Sequence, residues 1–523
     1  MTDTIAAARD ALDPARRAAF ERRVEREARS LQDDVRDGVF DAEAFALGLE
    51  LEAYVVDDAG RIATAPEALF DVDGCSRELG VHNAELHTSP DVASDAGFRR
   101  QFDELHDVSE TVASVLGDDG LGLVFDAMWT VPPEGGTMQY LEAGTETEGV
   151  FCATHMRPVP RYVALDQVIR DRNGGRIEMD LPGLADARSL LVESLATSMQ
   201  PHLQLPEPAA VPRYLNVATR TMGPVLSLSA NSPFLPADRY ESVGGDDPAT
   251  LIGRAPHEHR IPIFERSVDE GSRKCRVPRD VDSVAALIDR IAADPTLVAV
   301  PDLDEGKDAE SGSADKGHAG LKDRYPAFDA KRGTYWRWVR PVFGGDVPRG
   351  VDGDPSPGAD GASVRIEYRP LPTQPTLRDT VGLQALVVGL LCGVDATDHP
   401  LATLPWDDAR VSFYAAVDDG PDADLRWVTR DGDDTTATGE IYDELFALAR
   451  RGLDDLGVGA ETIEWALAPI EARRETAHVS PSAWKRERVR EALGDGASLP
   501  AAVREMQAAY LERAASGVPF AQW

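Results

Sequence analysis

The chain has 523 residues, 42% of them hydrophobic, with 91 acidic against 54 basic residues and a formal net charge of -37. That apolar content is ample for a large core and excludes a wholly disordered chain. The acidity is spread along the whole length with no basic face, which argues against DNA or RNA as a partner.

Only six of the basic residues are lysine; the rest are arginine. Self-repulsion at this charge is tolerable when screened, and at molar salt the Debye length is about 3 Å. The balance points to a salt-adapted protein rather than one that binds basic partners. The four cysteines, Cys75, Cys152, Cys275 and Cys392, form no CxxC pair. That argues against a thiolate zinc site and fits a reducing compartment. The N-terminus is charged and shows no apolar run of a secretory signal. The longest apolar stretch, near 381–394, is broken by Gln384 and is shorter than the roughly 20 residues a membrane helix needs. The expectation is a soluble, cytoplasmic protein without membrane association.

Residues up to about 38 read as one charged amphipathic helix, with Phe20, Val24, Leu31 and Val35 at helical spacing and Gly38 as its stop. Residues 45–56 switch to strand periodicity. Phe45, Leu47, Leu49, Leu51, Ala53 and Val55 share one face; Ala46, Gly48, Glu50, Glu52 and Tyr54 share the other. The pattern then predicts helices at 97–116, 185–197, 211–230 and 281–293, with strands at 120–128 and 199–205. Residues 302–324, rich in Asp, Gly, Ser and Lys, read as a solvated spacer rather than a lid. Strands are expected at 335–341 and 363–369, joined by a Gly/Pro/Asp-rich loop at 344–362. A buried helix follows at 376–394. From about 400 onward the pattern is mostly helical, at 439–451, 460–473, 481–493 and 501–515.

The informative feature is acid inside apolar strands. Glu50 and Glu52 project to one side of the first strand. Glu85 sits in the apolar run 81–87. His202 and Gln204 share a face opposite Met199, Leu203 and Leu205. Glu367 and Arg369 share a face opposite Val364, Ile366 and Tyr368. Carboxylates in a sheet are expensive to desolvate unless they meet cations. Magnesium ions resolve the conflict, because they demand oxygen ligands and bridge to phosphate oxygens. The bland alternative is a half-exposed sheet whose polar face meets water; four strands offering polar groups to one surface disfavour it.

Several short segments resemble those of a known family, in order, from about 45 to 395. Gly48-Leu49-Glu50-Leu51-Glu52 resembles the GxExE strand of the type 2 glutamate–cysteine ligase and carboxylate–amine ligase family. Glu85, in Asn83-Ala84-Glu85-Leu86-His87, resembles its second acidic strand. Ala153-Thr154-His155 followed by Arg161-Tyr162 resembles its GTH…RY segment. His202 falls in its HxH strand, and Leu228-Ser229-Ala230-Asn231-Ser232-Pro233-Phe234 in its LSANSPF segment. Trp336 to Pro341 resembles its WxxRP strand, and Glu367-Tyr368-Arg369 its final ExR.

The resemblance implies an α+β, glutamine-synthetase-like fold: a curved antiparallel sheet forming an open funnel, helices outside, plus an extra, mainly helical C-terminal section. The expected division is a helical appendage at 1–40, a catalytic domain at 41–398 and the helical section at 399–523 packed on it. The implied activity is an ATP- and magnesium-dependent ligase, with manganese as a substitute ion. It would form an amide between a carboxylate, the γ-carboxylate of glutamate, and an amine such as that of cysteine. On this reading Glu50, Glu52, Glu85, His202 and Glu367 hold the metal. Arg369 and Arg340 act on phosphate, and Gln204, where the family has the second histidine of HxH, lies near the nucleotide. His155, Arg161 and Arg260 are substrate-side candidates, although His155 equally orders a loop and Arg161 equally starts a helix. His257 and His259 make only a weak two-histidine pattern. The partners are small molecules, and a homo-oligomer is left open. The alternative is a non-catalytic nucleotide- or amino-acid-binding regulatory relative. Retention of every acidic candidate and of Arg369 argues against it.

Overall fold

The computed structural model describes residues 2–241, 247–269, 274–300, 324–354, 362–476 and 478–523. The expected spacer at 302–324 lies outside the described residues except for Arg324.

Among the described residues, eight strands form one antiparallel sheet, numbered here in chain order. They are β1 (Ala46–Val56), β2 (Cys75–Arg77), β3 (Asn83–His87), β4 (Asp91–Val92), β5 (Gly122–Val124), β6 (Met199–Leu205), β7 (Val339–Phe343) and β8 (Val364–Tyr368). The order across the sheet is β7-β8-β6-β1-β3-β2, with β4 and β5 also pairing β1. β1 is central because its leucines, Ala53 and Val55 can be buried on one side while the other side stays polar.

Helices cover the apolar side. Leu377–Ala396 is buried along nearly its whole length, and its Gln384 donates to the Gly48 carbonyl at 3.1 Å. This helix has 20 residues, so by length and composition it could span a membrane; 89% of its apolar window is buried within the protein. It crosses Thr438–Asp455 at bare backbone. A Cβ on Gly452 would lie 2.0 Å from the Gly389 carbonyl oxygen, and one on Gly393 would lie 1.9 Å from that of Leu448. A continuous apolar core runs from Ile5 to Phe520.

Three expectations need correction, and one helix goes unannounced. The first helix is two, Thr2–Leu12 and Pro14–Arg36. Asp13 accepts from the Ala15 and Arg16 amides, and Pro14 starts the second helix. Residues 185–197 are not an α-helix but a strand, Leu184–Ala187, and a 3-10 turn, Leu190–Leu195. Ser189 caps that turn and the carboxylate of Asp166 takes the Leu190 amide. The strand at 120–128 shrinks to β5, because Asp126 turns inward to Lys485 and Gln507. The helix Trp406–Asp419 is not announced by its periodicity, since its buried Ala409, Ser412 and Ala416 carry little apolar signal.

Among the described residues the lysines are Lys274, Lys331 and Lys485, and all are buried. Each meets interior acceptors: Asp294, the Asp294 carbonyl with Thr296, and Asp126 with the Asn231 carbonyl, respectively. The described surface is therefore basic through arginine alone.

Candidate active site

Directly opposed residues of antiparallel strands point to the same face. The register therefore assembles the polar side row by row. Arg340 opposes Glu367, Glu367 opposes His202, and His202 opposes Gly48. Glu50 lies between Gln200 and His87, Glu52 opposes Glu85, and Glu85 opposes Ser76. Gln204 opposes Arg365. A Cβ on Gly48 would come no nearer than 3.9 Å to His202, so its missing side chain leaves open floor.

Over this face lies a cleft of about 250 Å³, lined by Glu50, Glu85, His202, Gln204, Arg340 and Glu367 among others. Glu52 sits deeper, accepting from the Ser198 amide at 2.8 Å, the Ser198 hydroxyl at 2.9 Å and Gln200 at 3.3 Å. A second hollow of about 390 Å³ lies beyond His87. Its Arg100 is tied to Asp91, and its Arg349 to Asp91 and Glu104, so both arginines are already engaged.

Two sets of ligand atoms stand on the polar face, each within 4.8 Å of one another: Glu50, His202 and Glu367, and Glu52, Glu78 and Glu85. Glu78 was not among the expected ligands. It follows a strand of only three residues, too short to display an alternation.

The second set is charged against itself. Burial raises the carboxyl of Glu85 well above the usual range, and Glu50, Glu78 and Glu52 raise it further. Burial, then Glu52, pushes Glu78 up to about 7. Burial raises Glu52 too, partly offset by Arg260. In the first set, burial would raise Glu367, but Arg340 and Arg369 outweigh it and hold the carboxyl well below the usual range. Arg340 grips both its oxygens, Nε to Oε2 at 2.8 Å and Nη2 to Oε1 at 2.9 Å. Arg369 donates to Oε1 as well and to Gln200 at 2.6 Å. Burial lowers Arg340 to about 10 despite Glu367.

His202 Nε2 is buried without a hydrogen bond, 3.4 Å from Glu50 Oε1. An orphaned imidazole nitrogen beside two carboxylates, next to three crowded carboxylates, is a donor set that divalent cations fit.

The remaining expected residues stand apart from the cleft wall. His155 stacks on Tyr140, ring centroids 3.7 Å apart, and burial lowers its pKa. Arg161 opens the helix Pro160–Arg172 and turns toward Gly333; its neighbour Tyr162 is the one that lines the cleft. Arg260 is 1% exposed and donates to the Arg369 carbonyl at 3.0 Å, leaving Nε and Nη1 without partners. His257 and His259 are buried on the Ser482 hydroxyl and the Ser232 carbonyl.

A model of glutamate-cysteine ligase family 2 matches residues 46–515. The chain belongs to this family. The match runs through the C-terminal helices, well past the last of the short motifs. Glutamate–cysteine ligation joins a carboxylate to an amine, so the family is one of carboxylate–amine ligases.

Several solved structures are similar, two of them informative in their range. One is a bifunctional glutathione synthetase from Pasteurella multocida, at 13% identity and a TM-score of 0.49, over 90% of this chain and 52% of that one. The other is a glutamate–cysteine ligase from Francisella tularensis in complex with AMP, at 13% identity and a TM-score of 0.41, over 92% and 94%. The chain thus spans about half the length of the bifunctional enzyme. Likenesses this distant add nothing to the site. Among curated proteins no sequence matches this chain.

Proposed function

We propose that this protein is an ATP- and magnesium-dependent ligase that joins the γ-carboxylate of glutamate to an amine, with cysteine as the first candidate. The observation that carries the reading is the pair of adjacent ligand sets on one sheet face, edged by Arg340 and Arg369.

A carboxylate is a poor acyl donor, because its leaving group would be oxide. Transfer of the γ-phosphoryl group of ATP to the carboxylate gives an acyl phosphate and ADP. The amine then attacks the carbonyl carbon, the C–O bond to phosphate breaks, and an amide and phosphate are released. Such chemistry asks the protein for positioning and charge neutralisation. Glu50, His202 and Glu367 would hold one Mg2+, and Glu52, Glu78 and Glu85 another, with Mn2+ as a substitute. Bound there, the ions would neutralise phosphate charge and act as a template.

Glu367 holds Arg340 and Arg369 in place, and the two guanidiniums would bring positive charge to phosphate oxygens. Gln204, further along β6, would face the nucleotide. Arg260, buried behind the cleft wall, would act on the substrate α-carboxylate at one remove, through the Arg369 backbone it holds. His155 and Arg161 would act at one remove, through Tyr140 and through the loop at Gly333. The sheet would then be the wall of a glutamine-synthetase-like funnel, nucleotide at one end and amino acid at the other. The acidic, lysine-poor composition supports a cytoplasm rich in salt as its setting.

The test is incubation with Mg-ATP and glutamate at high potassium chloride, offering pooled amino acids and amines. Phosphate release and a new amide, detected by mass spectrometry, are the readouts. Glu367→Gln should lower the rate by about 10³-fold, the scale of removing a charge stabiliser from an active site. Folded protein that binds no ATP would sink the proposal.

A further inference from the structure

Arg365 lies on β8 two residues before Glu367 and lines the same cleft. Its Nε donates to His202 Nδ1 at 2.7 Å, and its Nη1 donates to the Gly344 carbonyl at 2.5 Å. A guanidinium has donors and no acceptor, so His202 must be accepting at Nδ1. A neutral imidazole carries one N–H, and with Nδ1 accepting that N–H is Nε2. Nε2 is the atom that faces Glu50 Oε1 and makes no hydrogen bond.

A cation shared by Glu50, His202 and Glu367 needs a lone pair on that nitrogen. The proton would have to move to Nδ1, where it would meet the Arg365 N–H, donor against donor. Glu367 has no such conflict, because each carboxylate oxygen keeps a second lone pair while Arg340 and Arg369 hold it. A ring nitrogen has one. His202 is therefore the ligand at which the cation and the protein's own cation exclude each other.

We propose that Arg365 and a divalent cation compete for His202, and that the guanidinium displaced by the cation turns to phosphate in the same cleft. This rests on the ligase reading and adds a positioning residue to it. Without nucleotide, Arg365 keeps His202 in the form that cannot ligate. With nucleotide present, phosphate oxygens give the displaced guanidinium a new charge-assisted partner. Cation and nucleotide then load together, and neither is held strongly alone.

The test is Mn2+ binding to the full chain in molar potassium chloride, followed by electron paramagnetic resonance of the free ion, with and without a non-hydrolysable ATP analogue. Glutamine can accept from Nδ1–H as well as donate to Nδ1, and methionine leaves Nδ1 unopposed. Arg365→Gln and Arg365→Met should therefore both bind Mn2+ about tenfold more tightly without nucleotide, the lower end of what a ligand's hydrogen-bond partner is worth. Both should lose most of the tightening that the analogue brings. In a His202→Gln background, Arg365→Met should change nothing. Unchanged or weaker Mn2+ binding in both single variants overturns the proposal and leaves the ligase reading standing. No Mn2+ binding by the parent protein overturns both.

Discussion

Asp379 and Glu85 are both carboxylates set into the protein, and their surroundings are opposite. Asp379 is fully enclosed beneath the C-terminal helices. Arg473 donates to it at 2.8 Å, the Thr376 hydroxyl at 2.6 Å and the Phe520 amide at 3.1 Å. Nearby, Asp126 meets Lys485 and Gln507 in the same way. Glu85, on the polar face of the sheet, accepts from Ser76 at 3.1 Å and otherwise confronts Glu50, Glu78 and Glu52. Asp379 and Asp126 have their charge balanced by protein; the cluster around Glu85 leaves the balance to something that arrives. That difference separates structure from chemistry more clearly than burial does.

The segment Leu226 to Phe234 falls on the structural side. Its Leu228 carbonyl receives Arg473, its Ala230 carbonyl the Ser482 amide and its Asn231 carbonyl Lys485. None of its residues lines the cleft. The most specific motif in the resemblance is thus the mount for the C-terminal helices.

The comparison can be broken most decisively at Arg473. Arg473→Met strands Asp379 and should cost about 3–5 kcal/mol, read by denaturant unfolding at fixed salt. Adding Asp379→Leu should recover much of the loss. A neutral single change would mean that Arg473 does not balance the charge of Asp379.

At Glu85 the sign should reverse. Glu85→Gln removes a carboxyl that burial and its neighbours keep from ionising and should stabilise the protein in EDTA by about 1–2 kcal/mol, while abolishing the gain in Tm that Mg2+ brings through this set. A lower Tm in EDTA would show that the crowded carboxylates are already satisfied.

The smallest effect is in pH dependence. Glu78 is raised from 4.5 to about 7, so the folded protein keeps its proton where the unfolded chain has lost it. Its contribution to stability is present below the unfolded value and is lost as pH rises through about 7. A cation must displace that proton. The Tm gain from Mg2+ should therefore grow from about pH 5.5 to about pH 7. Glu78→Gln should weaken that dependence. A gain that is flat across the window in the parent would remove Glu78 from the cation set.

Sequence alone determined which side chains share a face. The pleat turns every second residue the same way, a property of the chain itself. Glu50 with Glu52, His202 with Gln204 and Glu367 with Arg369 were therefore legible as rows before any strand was paired. Arg365 lies in the same period-two row and was equally within reach. Its tie to His202 was not, because that depends on β8 lying beside β6. Only tertiary structure decided the grouping. Register brought Glu52 to Glu85 and His202 to Glu367, and it carried Glu78 in from just past a strand too short to show a pattern. The same packing turned Tyr162 rather than Arg161 to the cleft and left His155 against Tyr140. Alternation is local; charge balance is a sum over neighbours, and the neighbours are chosen by the fold.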